Sequence, residues 1–297
     1  MSLLLKIVRI TNIRNENEKS TVKSFLLKLK NEDANSFLPQ PGNFIMLWVP
    51  DKNLVENPQK ITESDNLSNS TKFIESNQKP MSISGFEDNI LSITVKRSGK
   101  TTSYLHNEYK EEDKLGIVGP LGNSFKITGK NLLFISGGIG AVPLIYLLKN
   151  LNKTKNFEKI YFLHGADCDE EIIFREKIQE LSSESYFFTI EASNKSCIEG
   201  YPTDYLNNLY HEKKIDEIFT CGPWLLMKKV LEFSKKTKIP AQFGLERYMH
   251  CGQGYCGFCS INGFLVCKDG PIFTTKQLSK MQNLELIRTP SGRYRNI

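Results

Sequence analysis

The stretch CGQGYCGFCSINGFLVC, residues 251–267, is the most informative part of this sequence of 297 residues. Four of the seven cysteines lie in it, in the spacing C-x4-C-x2-C-x7-C: Cys251, Cys256, Cys259 and Cys267. Three glycines stand between the first three cysteines: Gly252, Gly254 and Gly257. A loop so rich in glycine can wrap closely around a small inorganic core and direct its backbone N–H groups at it.

The spacing of these cysteines predicts a 2Fe–2S cluster, because C-x4-C-x2-C followed by a fourth thiolate is a ligand set for that cluster. Zinc is the alternative, but zinc sites commonly pair two C-x2-C knuckles, and only Cys256 and Cys259 form one. Disulfides are disfavoured, since seven is an odd number and no apolar signal sequence opens the chain. The other cysteines, Cys168, Cys197 and Cys221, are scattered, and we expect isolated thiols.

Length and composition predict a globular protein of two ordinary domains and a small appendage. The sequence is 39% hydrophobic and 24% charged, and no apolar stretch reaches the ~20 residues that a membrane span needs. The net charge of +6 is modest and the basic residues are dispersed, which disfavours nucleic acid as a partner. We therefore expect a cytoplasmic protein without a membrane span.

The first part of the chain, residues 1–127, has the pattern of strands and turns. Apolar side chains alternate with other residues along 25–29 and 91–95, which indicates half-buried strands. Short apolar runs at Phe44–Val49 and Leu115–Val118 predict further strands. Residues 51–78 are rich in Asn, Ser, Glu and Lys, so we expect a long mobile insertion there. The pattern predicts a small antiparallel β-barrel.

After Gly129 strands and helices alternate, which predicts right-handed βαβ units and a parallel sheet over residues 128–240. The predicted strands are Leu132–Ser136, Ile160–His164, Phe187–Glu191 and Ile218–Thr220. The predicted helices are Val142–Leu151, Glu170–Leu181 and one from about Trp224. Residues 241–297 then form a small C-terminal 2Fe–2S module and a tail. The fold class is thus an antiparallel barrel, an α/β domain and a cluster module.

Parallel sheets bind ligands at the carboxyl ends of their strands. Three turns lie at that edge: Gly137-Gly138-Ile139-Gly140, Gly165-Ala166-Asp167 and Cys221-Gly222-Pro223. The first is a candidate phosphate loop, whose glycines would bring backbone N–H groups and a helix N-terminus to a dinucleotide pyrophosphate. It is not a full G-x-G-x-x-G, because Pro143 stands near the third glycine position, and a purely structural turn stays open as an alternative.

The order of these elements, together with several motifs, resembles the ferredoxin–NADP reductase superfamily. The motifs are Lys79-Pro80-Met81-Ser82, Gly119-Pro120-Leu121-Gly122, the glycine-rich turn and Cys221-Gly222-Pro223. Two C-terminal segments narrow the resemblance: Glu246-Arg247-Tyr248-Met249 and Cys267-Lys268-Asp269-Gly270-Pro271. With the cysteine run, they resemble the electron-transfer subunits of NAD-dependent dihydroorotate dehydrogenases. The resemblance covers the chain except the insertion and the tail after about Lys280.

The resemblance implies an FAD site in the barrel and an NAD site at the edge of the sheet. FAD would be held by Lys79, Pro80, Met81 and Ser82, and by Thr94, Val95, Lys96, Gly99, Thr101 and Thr102. Lysine replaces the family's arginine in the first segment, and an ammonium cannot grip a diphosphate bidentately. The second segment has an alternative reading, a β-turn before a short helix capped by threonine. NAD would contact Gly137, Gly138, Gly140, Cys221, Gly222 and Pro223.

The resemblance also implies a partner, an FMN-containing dihydroorotate dehydrogenase catalytic subunit, in a heterotetramer. Electrons from dihydroorotate would pass through the cluster to FAD and then to NAD, and this chain needs no catalytic acid or base of its own. We expect His164 to be packed or at a solvent edge, and the partner to cover the rim around Cys251, Gly254 and Phe258. Preference for NAD over NADP stays open.

Two other functions fit the same motifs. One is a diaphorase subunit of a cytoplasmic hydrogenase or anaerobic sulfite reductase, because the seven-residue gap before Cys267 resembles those relatives about as well. The other is a non-catalytic binding module stapled by zinc, which would have no use for the two nucleotide turns.

Overall fold

The structure is a computed structural model that describes residues 5–50, 78–190, 197–289 and 291–296. The predicted insertion therefore lies outside the described residues, except for Gln78, which begins a strand. Within the described ranges, no helix is long and apolar enough to cross a membrane.

The N-terminal part is a closed antiparallel barrel, as the alternation of apolar residues predicts. Its strands are β1 Lys6–Asn15, β2 Val22–Lys28, β3 Phe44–Trp48, β4 Gln78–Glu87, β5 Ile90–Lys96 and β6 Lys114–Leu121. Among the described residues, two helices lie between these strands, α1 Asn31–Ala34 and α2 Lys100–Glu108. The strand order is β1-β2-β5-β4-β3-β6, and Phe25, Leu27 and Ile93 are wholly buried inside.

A twisted parallel sheet follows, in the order β10-β9-β8-β7-β11-β12. Its strands are β7 Asn131–Gly137, β8 Lys159–Ala166, β9 Glu184–Thr189, β10 Ile198–Glu199, β11 Glu217–Cys221 and β12 Ala241–Gly244. Its helices are α3 Ala141–Thr154, α4 Arg175–Leu181, α5 Leu206–Glu212 and α6 Trp224–Thr237. Parallel pairing confirms the βαβ prediction.

One predicted helix, Glu170–Leu181, is wrong in its first half. A single 3-10 turn spans Asp169–Glu171, and α4 begins only at Arg175. Phe174, the residue before α4, has φ 56°, a left-handed conformation that ends any helix running into it. The apolar run Ile172–Phe174 is buried as a whole, so it fills the core and does not form one stripe of a helix.

The C-terminal part is built from short elements. They are β13 Ser260–Ile261, β14 Phe264–Leu265, α7 Val266–Asp269, β15 Ile272–Thr274, α8 Thr275–Leu278, β16 Leu286–Arg288 and β17 Tyr294–Asn296. Strand β15 pairs antiparallel with β12 and so becomes the edge strand of the large sheet. The sheet thus extends past residue 240, where the sequence analysis ended the α/β domain, and the domain boundaries stay a prediction.

One of the three apolar clusters among the described residues joins the three parts. It contains Phe44 and Leu121 of the barrel, Phe243 of the sheet, and Cys259 and Cys267 of the cysteine segment. Each fully buried large apolar side chain contributes roughly 1.5–3 kcal/mol, so this shared core holds the cysteine segment firmly against the rest of the protein.

The linker after the barrel adds polar contacts to that attachment. The side-chain N–H groups of Asn123 donate to the carbonyl oxygens of Asp269 and Ile272, at 3.0 and 2.9 Å. Its side-chain oxygen accepts from the N–H of Ile272 at 2.9 Å. At Gly122 a side chain would approach Pro271 to 2.5 Å, so the Gly119–Gly122 motif serves close packing against the cysteine segment.

Candidate functional site

The four predicted cluster cysteines lie on the loop between β12 and β13 and at the start of α7. Cys259 and Cys267 are each 3% exposed, Cys251 is half-buried, and Cys256 is exposed. One side of the site therefore faces the protein core and the other faces solvent.

The thiols are arranged as two contacting pairs. Cys251 lies against Cys256, and Cys259 lies against Cys267. The Cys267 thiol donates a hydrogen bond to Cys259, which lowers the pKa of Cys259 to about 6 and raises that of Cys267. Burial raises the pKa of Cys251, but hydrogen bonds from the backbone N–H groups of Gln253 and Cys256 outweigh it and bring that pKa down to about 7.

Backbone N–H groups point at the sulfur atoms. The N–H of Gly254 donates to Cys267 Sγ at 3.1 Å, that of Gln253 to Cys251 Sγ at 3.4 Å, and that of Cys267 to Cys259 Sγ at 3.4 Å. Such donors stabilise thiolate over thiol, and thiolate is the form that binds iron.

The glycines of this loop explain how the donors reach the sulfurs. Gly252, Gly254 and Gly257 have φ of 67°, 84° and 68°, where other residues are strained. At Gly252 a side chain would also approach Met46 Cγ to 2.5 Å, so the loop rests directly on barrel strand β3.

The donor set fits a binuclear iron–sulfur cluster. Four thiols in two pairs, with N–H groups aimed at the sulfurs, match a cluster that distributes four thiolates over two irons. Among the described residues, the four cysteines included, no group of three or more His, Cys, Asp or Glu side chains lies close enough together to hold a single metal ion.

The two predicted nucleotide turns pack against each other at the carboxyl edge of the sheet. A side chain at Gly140 would overlap the backbone carbonyl of Cys221, and one at Gly137 would approach Pro223 Cδ to 2.9 Å. These two glycines are therefore required for packing. Gly138 differs, since it has φ 52° and open space where a side chain would be. Of the three, Gly138 is the one whose backbone a pyrophosphate can approach.

Helix α3 brings the glycine-rich turn to the predicted flavin strand. The Lys149 ammonium donates to the carbonyl of Ser84 at 3.2 Å, and that of Lys153 donates to Glu87 at 2.6 Å. Helix and strand β4 therefore run in the same direction. A helix rises 1.5 Å per residue and a strand about 3.3 Å, so the start of α3 lies level with Pro80 to Ser82.

Near the Cys221 turn lies a residue to which the sequence analysis assigned no role, Glu246. Its side chain is exposed, and its carboxyl group lies close enough to Cys221 to act on the pKa of that thiol. Burial and the nearby Glu246 carboxylate together raise the pKa of the Cys221 thiol, so that thiol stays protonated. The sequence analysis predicted no strand at 241–244, so it had no reason to place Glu246 at the ligand-binding edge of the sheet.

The second predicted flavin segment is brought to the barrel surface only in part. The Thr94 hydroxyl is 3% exposed and is hydrogen-bonded to Ser24 and Ser84, at 2.7 and 3.0 Å. The Thr102 hydroxyl accepts from the N–H groups of Ser98 and Gly99, both at 3.0 Å, so it caps helix α2. Val95 is 1% exposed as well, so the residues of this segment that stay accessible to a diphosphate are Lys96, Gly99, Lys100 and Thr101.

His164 and His250 have different surroundings. His164 is wholly buried, its Nδ1 lies 2.8 Å from Ser136 Oγ, and burial lowers its pKa to about 3. The prediction that His164 is packed is confirmed, and the alternative prediction that it lies at a solvent edge is wrong. His250 is exposed and packs edge to face against Phe258, with ring centroids 4.0 Å apart.

Comparison with known proteins agrees with this geometry. Residues 246–279 match the profile of the iron–sulfur cluster binding domain of dihydroorotate dehydrogenase B, and residues 134–232 match an oxidoreductase NAD-binding domain. The chain is 34% identical to a probable dihydroorotate dehydrogenase B (NAD(+)) electron transfer subunit of Pyrococcus furiosus, over 92% of this chain and 93% of the relative. It is also 34% identical to the Methanocaldococcus jannaschii protein of the same description, over 86% and 85% of the two chains.

Solved structures share the fold at lower sequence identity. The NADH-dependent reduced ferredoxin–NADP oxidoreductase superposes with a TM-score of 0.72 at 23% identity, covering 93% of this chain and 89% of that one. A ferredoxin NADP+ reductase from Neisseria gonorrhoeae gives a TM-score of 0.60 at 16% identity, covering 80% and 92%.

Proposed function

This chain belongs to the family of dihydroorotate dehydrogenase B electron transfer subunits, and from that premise we propose that it carries electrons between a dihydroorotate-oxidising catalytic subunit and NAD. The chain itself does not bind dihydroorotate. It supplies the NAD-reactive half of a complex that serves pyrimidine synthesis, and it works in the cytoplasm.

The cluster ligands in this proposal are Cys251, Cys256, Cys259 and Cys267. All four thiolates would hold the cluster, with Cys251 beside Cys256 and Cys259 beside Cys267. The N–H groups of Gly254 and Gln253 favour the thiolate form of their cysteines.

FAD lies between the barrel and the sheet. Strand β4 presents Lys79, Pro80, Met81 and Ser82 to it, Lys79 offers a charge to the diphosphate, and the N-terminus of α2 adds backbone N–H groups. When bound, FAD exchanges two electrons with NAD and single electrons with the cluster.

NAD would be held at the carboxyl edge of the sheet. Gly138, which has open space beside it, would offer its backbone to the pyrophosphate, and the turn at Cys221 would border the nicotinamide. Because the Cys221 thiol stays protonated, its role is steric and polar, not nucleophilic. Glu246 places a carboxyl group near that thiol.

The catalytic subunit, which binds FMN in this proposal, covers the exposed side of the cluster loop in a heterotetramer. Cys256 is exposed there and the neighbouring Tyr255 is 85% exposed, a large aromatic surface of the kind found at the core of protein interfaces. The observation that carries the proposal is the cysteine loop. It holds the four predicted ligands, it packs on the barrel at Gly252, and it exposes Cys256 to solvent.

Native co-purification tests the proposal. The chain, expressed in its own organism with an affinity tag, should retain an FMN-containing subunit, and the isolated complex should reduce NAD when dihydroorotate is added. A retained partner with nickel or sirohaem instead of FMN would contradict the proposal and favour a hydrogenase or sulfite reductase subunit.

A further inference from the structure

The last two strands form a basic hairpin outside the segment that matches the iron–sulfur profile. That match ends at residue 279, and the hairpin of β16 and β17 occupies 286–296. These eleven residues contain three arginines, Arg288, Arg293 and Arg295, and no acidic residue. Gly292, with φ 83°, forms the turn.

The hairpin is fixed to the cluster loop. The Arg288 guanidinium lies over the ring of Phe258, 5.5 Å from its centroid, and donates to the Tyr294 hydroxyl at 2.9 Å. Phe258 immediately precedes the cluster cysteine Cys259. Ile287 is 8% exposed and anchors the hairpin in the protein. These contacts hold the hairpin in a defined position on the surface beside the cluster loop.

The charges of the hairpin have no internal counterpart. Among the residues that the structure describes, no carboxylate oxygen lies within 4.0 Å of a guanidinium nitrogen of these three arginines. Arg293 and Arg295 are exposed, and Tyr294 between them is 60% exposed. Cations that alternate with an exposed aromatic ring suit a protein surface that is acidic with an apolar centre.

We propose that this hairpin is a docking surface of the complex and that it binds an acidic patch on the catalytic subunit next to the cluster. The inference rests on the proposed function, which supplies the partner. Charge complementarity selects the occupant, since the hairpin carries three arginines that have no carboxylate partner among the described residues. Arg288 ties the hairpin to Phe258 of the same loop that exposes Cys256 and Tyr255. Rim charges of this kind mainly accelerate encounter and fix orientation.

The test is the rate at which the purified subunit, carrying its cofactors, associates with the separately purified catalytic subunit. Arg293→Glu/Arg295→Glu should slow association about tenfold or more at low salt, and the difference should shrink at ~0.5 M salt, where charges are screened. Lys28→Glu/Lys114→Glu is the matched control, because it changes the net charge equally on barrel strands β2 and β6, where both lysines are exposed and lie opposite Arg9. Arg293→Gln/Arg295→Gln should have a smaller effect in the same direction.

Iron content, FAD content and NADH-dependent dye reduction of the variants show that the subunit is intact. Equal rates for the arginine and lysine variants, whether both fast or both slow, would overturn the docking surface while the proposed function stands. If the wild-type subunit binds no FMN-containing subunit at any salt concentration, the proposed function itself fails.

Discussion

Glycine is required for different physical reasons in the cysteine loop and in the turns of the sheet. In the loop, Gly252, Gly254 and Gly257 have positive φ, so they are needed for the path of the backbone. In the turns, Gly137 and Gly140 have φ of −131° and −61°, which any residue can adopt, and they are needed because a side chain has no room. A glycine-rich motif therefore has two physical causes, a positive φ or a lack of room for a side chain, and only the structure shows which one applies at each position.

The sharpest test of this comparison removes a thiol from the loop. Cys256→Ser should abolish the cluster, so that iron and labile sulfide fall from about two of each per chain to near zero. FAD and NADH-dependent dye reduction should remain, because the flavin strand and the nucleotide turns lie elsewhere. Metal analysis and the visible spectrum measure this, with Cys168→Ser as the control that keeps its cluster. Stoichiometric zinc without sulfide in the wild type would refute the cluster.

The packing role of the turns predicts a large stability effect at Gly140. In Gly140→Ala the new methyl group overlaps the Cys221 carbonyl, so the two turns must separate, at a cost of about 3 kcal/mol or more. The melting temperature should fall by roughly 5–10 °C. Cluster content per folded chain should not change. An unchanged melting temperature would show that the turns are not in contact.

Burial at the junction of barrel and sheet predicts a pH effect at Lys149. Burial lowers its pKa from 10.5 to about 8. Between those values the unfolded chain keeps the proton and the folded chain does not, so stability should rise with pH across that window. Relative to Lys149→Met, the wild type should gain roughly 2–3 kcal/mol from pH 8 to 10.5, measured by denaturant titration at each pH. A constant difference between the two proteins would show that this amine is solvated.

The smallest effect is expected at Gly138, where there is space. Gly138→Ala should cost only about 1 kcal/mol of stability, for a left-handed alanine. If a pyrophosphate approaches this backbone, the KM for NADH should nevertheless rise several-fold. Gly263→Ala is the matched control, since Gly263 also has positive φ and open space but lies in the cysteine segment. Equal KM values in the two variants would remove Gly138 from the nucleotide site.

Local patterns predicted much of the fold. The period of two along β2 and β5 gave the barrel, and the alternation of strands and helices gave the parallel sheet, because each pattern reports which side chains are buried. The cysteine spacing predicted a donor set whose pairing the structure now shows.

Long-range pairing and side-chain direction could not be predicted. Nothing local tells that β15 joins β12, that the Thr94 hydroxyl bonds to Ser24 and Ser84, or that the Thr102 hydroxyl caps its own helix. Glu246 comes close to Cys221 only because β12 pairs with β11, so its carboxyl group was not assigned from sequence.

The pairing of β15 with β12 has a consequence for how such a protein can be taken apart. Cutting the chain after residue 244 would remove the four predicted cluster cysteines. It would also leave β12 as an edge strand with unpaired backbone groups, which is a template for aggregation. The iron–sulfur segment therefore cannot be removed without exposing an edge of the large sheet. A shortened flavoprotein derived from this chain would need either to keep Ile272–Thr274 or to cover that edge with something new.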